Sequence, residues 1–238
     1  MRITPGNPKR VHVWDPRDWA IGMGTDFWLG AAPSTAVLAG TAGAGQLLSE
    51  YGWTTTALAH VAGTAADFMS STDLGIPPYI QFTAAEDLLL SPSIFGDYSH
   101  AHQAGQILGY FPTTLNMECY AAFLAEGSDE VSSAFGFVQA GASPITAAAA
   151  GQFACVSSNA TNFELNSSAA VDAGAVSENA WHRWRITISS ASSEWFIDGT
   201  SQGTIALVAD VFPLRFGCGI VAAGNNTIAL GTVHIWYA

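Results

Sequence analysis

The stretch "WHRWRITISSASSEWFIDGTSQGTIAL", residues 181–207, constrains the fold more than any other part of the chain. In "WHRWRITI", Trp184, Ile186 and Ile188 fall on one side of an extended backbone and Arg183, Arg185 and Thr187 on the other, because successive strand residues alternate between faces. The loop Ser190-Ala191-Ser192-Ser193 is expected to return the chain into "EWFI", with Ile188 opposite Trp195, Ile186 opposite Ile197 and Arg185 opposite Asp198. Asp198-Gly199 supplies the positive backbone angles of a tight hairpin turn, and "TSQGTIAL" leaves as a third strand. The three segments form an antiparallel meander.

The rest of the chain extends this pattern. Alternation and aromatic or β-branched enrichment predict strands near 26–29, 78–83, 106–111, 114–124, 131–138, 152–157, 161–166, 181–189, 194–198, 202–208, 212–221 and 228–237. Hydrophobic residues make up 49% of the sequence and charged ones 11%, which excludes disorder over most of its length. Abundant Gly, Ala and Ser with almost no Lys disfavours long amphipathic surface helices. Thr83-Ala-Ala-Glu86 before Asp87-Leu-Leu-Leu90 matches a capping box and predicts a short helix, and residues 47–70 allow another. At 238 residues the chain can bury a core without disulfides, and Cys119, Cys155 and Cys218 read as small apolar residues of a protein made in a reducing compartment.

Charge divides the chain. Arg2, Lys9, Arg10 and Arg17 stand with Trp14, Trp19 and three prolines in residues 1–22, and no further basic residue occurs before Arg183. An extended N-terminal arm over 1–22 followed by one domain over 23–238 is therefore expected, with the arm docking on an acidic partner. The net charge of −12 disfavours nucleic acid, and no apolar run is long enough for a membrane span. A secretory signal is not visible either, since Met1 is followed by Arg2-Ile3-Thr4-Pro5 with no apolar region.

The Trp-containing strand "WHRWRITI", the hairpin "EWFIDG" and the closing strand "GTVHIWYA" resemble the C-terminal half of concanavalin A-like lectin/glucanase (LamG-like) jelly rolls, especially those of tailed-bacteriophage virions. The resemblance covers about residues 181–237. It implies an all-β fold, an antiparallel β-sandwich, and leaves activity open, because the fold hosts lectins, hydrolases, lyases and scaffolds.

Chemical patterns are sparse. A retaining glucanase of this fold would carry an E-x-D-x-E strand, and none exists: Phe196 stands between Glu194 and Asp198, and Glu118 and Glu126 belong to "ECYAAFLAE", which reads as a core strand and loop. His100-Ala101-His102 lies in a loop-like stretch with too few partners for a metal site, and no calcium-binding run or nucleophile elbow is found. No catalytic residue, metal or cofactor is assigned. Trp184 and Trp195 are expected in the core, while Trp181 and Trp236 are candidates for stacking on a glycan.

These readings lead to a non-enzymatic virion structural protein, synthesised in the host cytoplasm. The expected role is capsid decoration, with Arg2, Lys9, Arg10, Trp14, Arg17 and Trp19 docking on the major capsid protein or another virion protein, and a homotrimeric assembly. The alternative is a tail- or fibre-associated lectin-like module that recognises a host-surface glycan.

Overall fold

The computed structural model describes residues 54–55, 59–61, 79–83, 87–90, 113–125, 133–139, 153–158, 162–167, 170–175, 179–207, 214–220 and 227–237. Among them the strands in chain order are β1 (Thr54–Thr55), β2 (Ala59–Val61), β3 (Tyr79–Phe82), β4 (Leu88–Leu90), β5 (Leu115–Ala125), β6 (Ser133–Gln139) and β7 (Phe153–Ser158). They continue as β8 (Asn162–Asn166), β9 (Ala170–Ala175), β10 (His182–Ile188), β11 (Ser192–Ile197), β12 (Thr200–Ala206), β13 (Leu214–Ile220) and β14 (Thr227–Tyr237). The expected arm, and the segments 26–29 and 106–111, lie outside the described residues.

Two sheets form, one in the order β1-β4-β13-β6-β7-β8-β9 and the other β12-β11-β10-β5-β14-β3-β2. Neighbouring strands are antiparallel, and the central β5 lies between β10 and the C-terminal β14. The architecture is the antiparallel jelly-roll sandwich that the sequence predicts.

Alternation explains why the sheets pack face to face. Along β5, Leu115, Met117, Cys119, Ala121 and Phe123 are buried while Glu118 and Tyr120 are only half-buried. β10 buries Trp184, Ile186 and Ile188 and leaves Arg183 exposed, so the two strands contribute one continuous apolar face. β6 and β13 of the other sheet answer with Phe135, Phe137, Leu214, Phe216 and Cys218. Trp184 sits at the centre, edge-on to Phe135 and Phe163 with ring centroids 5.5 Å and 4.8 Å away, and stacked with Trp195 at 6.3 Å. Its indole N–H donates to the Ala121 carbonyl at 3.2 Å, so the buried donor is satisfied. Cys119 and Cys218 are buried free thiols, and burial raises both far above the ordinary thiol range.

Three local expectations are corrected. The β10–β11 register pairs Trp184 with Ile197, Arg185 with Phe196, Ile186 with Trp195 and Ile188 with Ser193, so Asp198 does not face Arg185. The turn is tighter than expected: Ser189 N–H donates to the Ser192 carbonyl at 2.8 Å, and the Ser192 N–H returns to the Ser189 hydroxyl at 3.1 Å. Because the register differs by two residues rather than one, each side chain keeps its predicted face.

The capping-box helix does not extend over Leu88–Leu90, which is β4, bridging β1 and β13, while residues 84–86 lie outside the described residues. Asp87 instead takes the Thr83 N–H on its carboxylate at 2.7 Å, a local cap that needs no helix. In residues 47–70 the described elements are the short strands β1 and β2, and β9 is a strand the sequence did not announce.

Candidate functional site

The second sheet turns one face to the core, and its other face gathers polar and aromatic side chains in rows that cross the strands. In one row Glu194 of β11, Thr187 of β10, Asn116 of β5 and Trp236 of β14 are successive register partners. In the next row stand Phe196, Arg185, Glu118 and His234, again one from each strand. Arg183 and Tyr120 begin the third. Each is a strand position whose neighbours along the chain point inward, which is how the alternation builds this face.

The rows are cross-linked. Thr187 donates its hydroxyl to Asn116 Oδ1 at 2.8 Å, and Ser201 donates to Glu194 Oε1 at 2.7 Å. Glu194 is thus held across the β11–β12 hairpin. Arg185 lays its guanidinium over Phe196, 3.8 Å from the ring centroid, a cation–π contact between register partners. Arg183 Nε approaches Glu118 Oε2 at 3.8 Å along the diagonal, a half-exposed pair whose contribution to stability is small.

Aromatic rings close both ends. Trp181 stacks on Tyr120, with centroids 5.0 Å apart, and meets Tyr79 edge-on at 5.3 Å. Gly231 makes room for it, since a Cβ there would lie 3.4 Å from the Trp181 ring and 3.1 Å from the Tyr120 carbonyl. At the other end Trp236 packs beside His234, centroids 4.8 Å apart. Burial, followed by the negative charge of Asp198, raises the Tyr120 phenol above its usual range.

The Asp-Gly turn borders this face. Asp198 and Gly199 adopt φ of 50° and 86°, the paired left-handed angles expected of a tight hairpin turn. The Asp198 carboxylate accepts from the Arg183 N–H at 2.9 Å and from His182 Nδ1 at 2.7 Å. Partial burial pushes its pKa up, but the His182 and Arg183 hydrogen bonds and their positive charge outweigh this and hold it below its ordinary value. The acids of "EWFIDG" are therefore structural anchors at the margin of the face.

Of the residues singled out in the sequence, Trp184 and Trp195 are fully buried, whereas Trp181 and Trp236 are half-buried at opposite ends of the outward face. Arg2, Lys9, Arg10, Trp14, Arg17 and Trp19 lie outside the described residues, as do His100 and His102. Among the described residues no group of three or more His, Cys, Asp or Glu is arranged to hold a metal ion. The sequence reading passed over Asn116, Tyr120 and His234, and set Glu118 aside as part of a core strand. Their signal was present, because "LNMECYAAF" and "TVHIWYA" alternate as regularly as "WHRWRITI".

No protein-family model matches the sequence, and no curated protein matches it. Solved structures do. An alginate lyase from Corynebacterium sp. is 13% identical, with a TM-score of 0.37 over 53% of this chain and 59% of the lyase. A Trypanosoma rangeli sialidase is 12% identical, with a TM-score of 0.47 over 66% of this chain and 25% of the sialidase. A carbohydrate esterase from the Shiga toxin-encoding bacteriophage phi24B is 12% identical, with a TM-score of 0.48 over 80% of this chain and 92% of the esterase. The chain thus spans about six-tenths of the lyase and a quarter of the sialidase.

At these identities the likeness concerns the fold alone. It also corrects the expectation of a non-enzymatic protein. The similar solved chains are an alginate lyase, a sialidase and a carbohydrate esterase, which stands against that expectation. The architecture assigns no reaction.

Proposed function

We propose that the outward face of the second sheet binds carbohydrate. One observation carries this reading: Trp181 and Trp236 stand half-buried at the two ends of a face whose middle holds Asn116, Glu118, Arg183, Arg185 and Thr187. Sugar rings present an apolar face and a rim of hydroxyls. Indole faces suit the first, and side-chain donors and acceptors fixed on a rigid sheet suit the second. The cross-strand spacing of about 5 Å sets these groups out in steps along an extended ligand.

The polar groups are held in place before a ligand arrives. Asn116 is fixed by Thr187 and by Thr114, whose hydroxyl accepts from the Asn116 amide at 3.1 Å, and Arg185 is fixed by Phe196. Preorganisation of this kind lowers the ordering cost of binding. The test is a glycan array probed with the wild-type protein and with Trp181→Ala and Trp236→Ala. Saturable binding that either substitution weakens supports the reading, and an array with no saturable ligand contradicts it.

A second reading concerns where such a face would be displayed. Basic residues and tryptophans concentrate in residues 1–22 ahead of an acidic body, which favours an arm that docks on a capsid or tail protein of a virion. Deleting residues 1–22 then abolishes particle occupancy while leaving glycan binding in place. Unchanged occupancy contradicts the docking role.

A further inference from the structure

Positive charge is scarce in this protein and oddly placed. Beyond residue 22 the chain holds three basic residues, Arg183, Arg185 and Arg215, within a net charge of −12. Two of the three stand next to each other on the outward face of β10.

Three carboxylates, Glu118, Glu194 and Asp198, stand near these arginines, and among the described residues none of them pairs with Arg185. Asp198 is taken by His182 and the Arg183 backbone, and Glu194 by Ser201. Glu118 is the register partner of Arg185 yet reaches Arg183 instead, at 3.8 Å. Arg185 forms no ion pair among the described residues, and its Nε is buried without a hydrogen-bond acceptor.

That guanidinium is also immobilised. Phe196 supports one face of the plane at 3.8 Å, which fixes where the N–H edge points. A planar fork held in one orientation matches a planar carboxylate through parallel hydrogen bonds from its accessible edge. A lysine offers no such fork. Trp236 lies two strands away, about 10 Å by strand spacing, so one short oligosaccharide could stack there and place an acid group at Arg185.

We propose that this face selects acidic saccharides by seating a sugar carboxylate on Arg185, with Arg183 beside it. The assignment rests on the carbohydrate reading above and narrows it to one ligand class. Arg185 is its specificity-determining residue.

The experiment titrates the protein with short uronate and sialate oligosaccharides, each beside its own methyl ester, and with neutral chains. The acid forms are expected to bind about tenfold or more tighter than their esters, the increment of a charge-assisted hydrogen bond, and to weaken as salt is raised. Arg185→Ala removes the preference for acid over ester while residual binding to the esters persists, and Arg185→Lys does not restore it. Far-UV circular dichroism and thermal melting show that both variants fold. Equal binding of acid and ester, or tighter binding of the neutral chains, overturns the acidic assignment and leaves the carbohydrate reading standing. Binding of none of these chains overturns both.

Discussion

Arg185 and Phe196 face each other across the β10–β11 pair, with the guanidinium carbon 3.8 Å from the ring centroid. The contact ties a charged side chain of the outward face to a rigid neighbour without neutralising it. Replacing Phe196 by Leu keeps an apolar residue on the strand but removes the π-face. The cost in stability is expected to be about 0.5–1 kcal/mol, the size of an exposed cation–π contact, while glycan affinity falls several-fold because Arg185 must be ordered on binding. Denaturant unfolding and a binding titration on the same sample separate the two effects.

Trp184 joins the sheets. It is fully buried, contacts Phe123, Phe135, Phe163 and Trp195, and donates its indole N–H to Ala121. Trp184→Ala is expected to destabilise the sandwich by about 3–5 kcal/mol, and Trp184→Phe by less, as read from the urea midpoint. Trp236→Ala, on the outward face, should change the midpoint far less.

Gly219 shows where backbone crowding matters. A Cβ there would stand 2.5 Å from the Asp87 carbonyl, the acceptor of the Ile220 N–H at 3.0 Å. Gly219→Ala must push β4 away from β13, and a loss of about 1–3 kcal/mol is expected. Amide exchange at Ile220 should accelerate first.

The Asp198 carboxylate carries a pH signature. Its folded pKa lies below its ordinary 3.8, so its contribution to stability is present above that value and is lost as pH falls through the folded pKa. Asp198→Asn tolerates the left-handed backbone angle but cannot ionise. Wild type should exceed the variant in melting temperature near neutral pH, and the gap should close on acidification below about pH 4. The gap is small because the carboxylate is more than half exposed. A gap that widened in acid would contradict the assignment.

Much of this architecture was legible in the sequence because β-strand faces follow from a period of two. Of the inward set Trp184, Ile186, Ile188, Trp195 and Ile197, the first four are buried and Ile197 packs half-buried against the core. Register was less legible: it depended on whether two or four residues made the turn after Ile188, and the Ser189–Ser192 hydrogen bonds that decide it are local geometry. Leu88–Leu90 misled because a capping-box pattern describes a helix start only where tertiary pairing does not compete, and here β1 and β13 compete. The outward face went unread for a different reason. Asn116, Glu118, Tyr120, Arg185 and His234 are far apart in sequence and become neighbours only when β5 is placed between β10 and β14.

The outward face of the second sheet is the proposed ligand surface. Chemical-shift mapping during titration with the best glycan ligand tests it most directly. Perturbations are expected to concentrate at Asn116–Tyr120, Trp181–Thr187 and Val233–Trp236, and to be reduced by Trp236→Ala. Perturbations concentrated in the strands of the other sheet would contradict it.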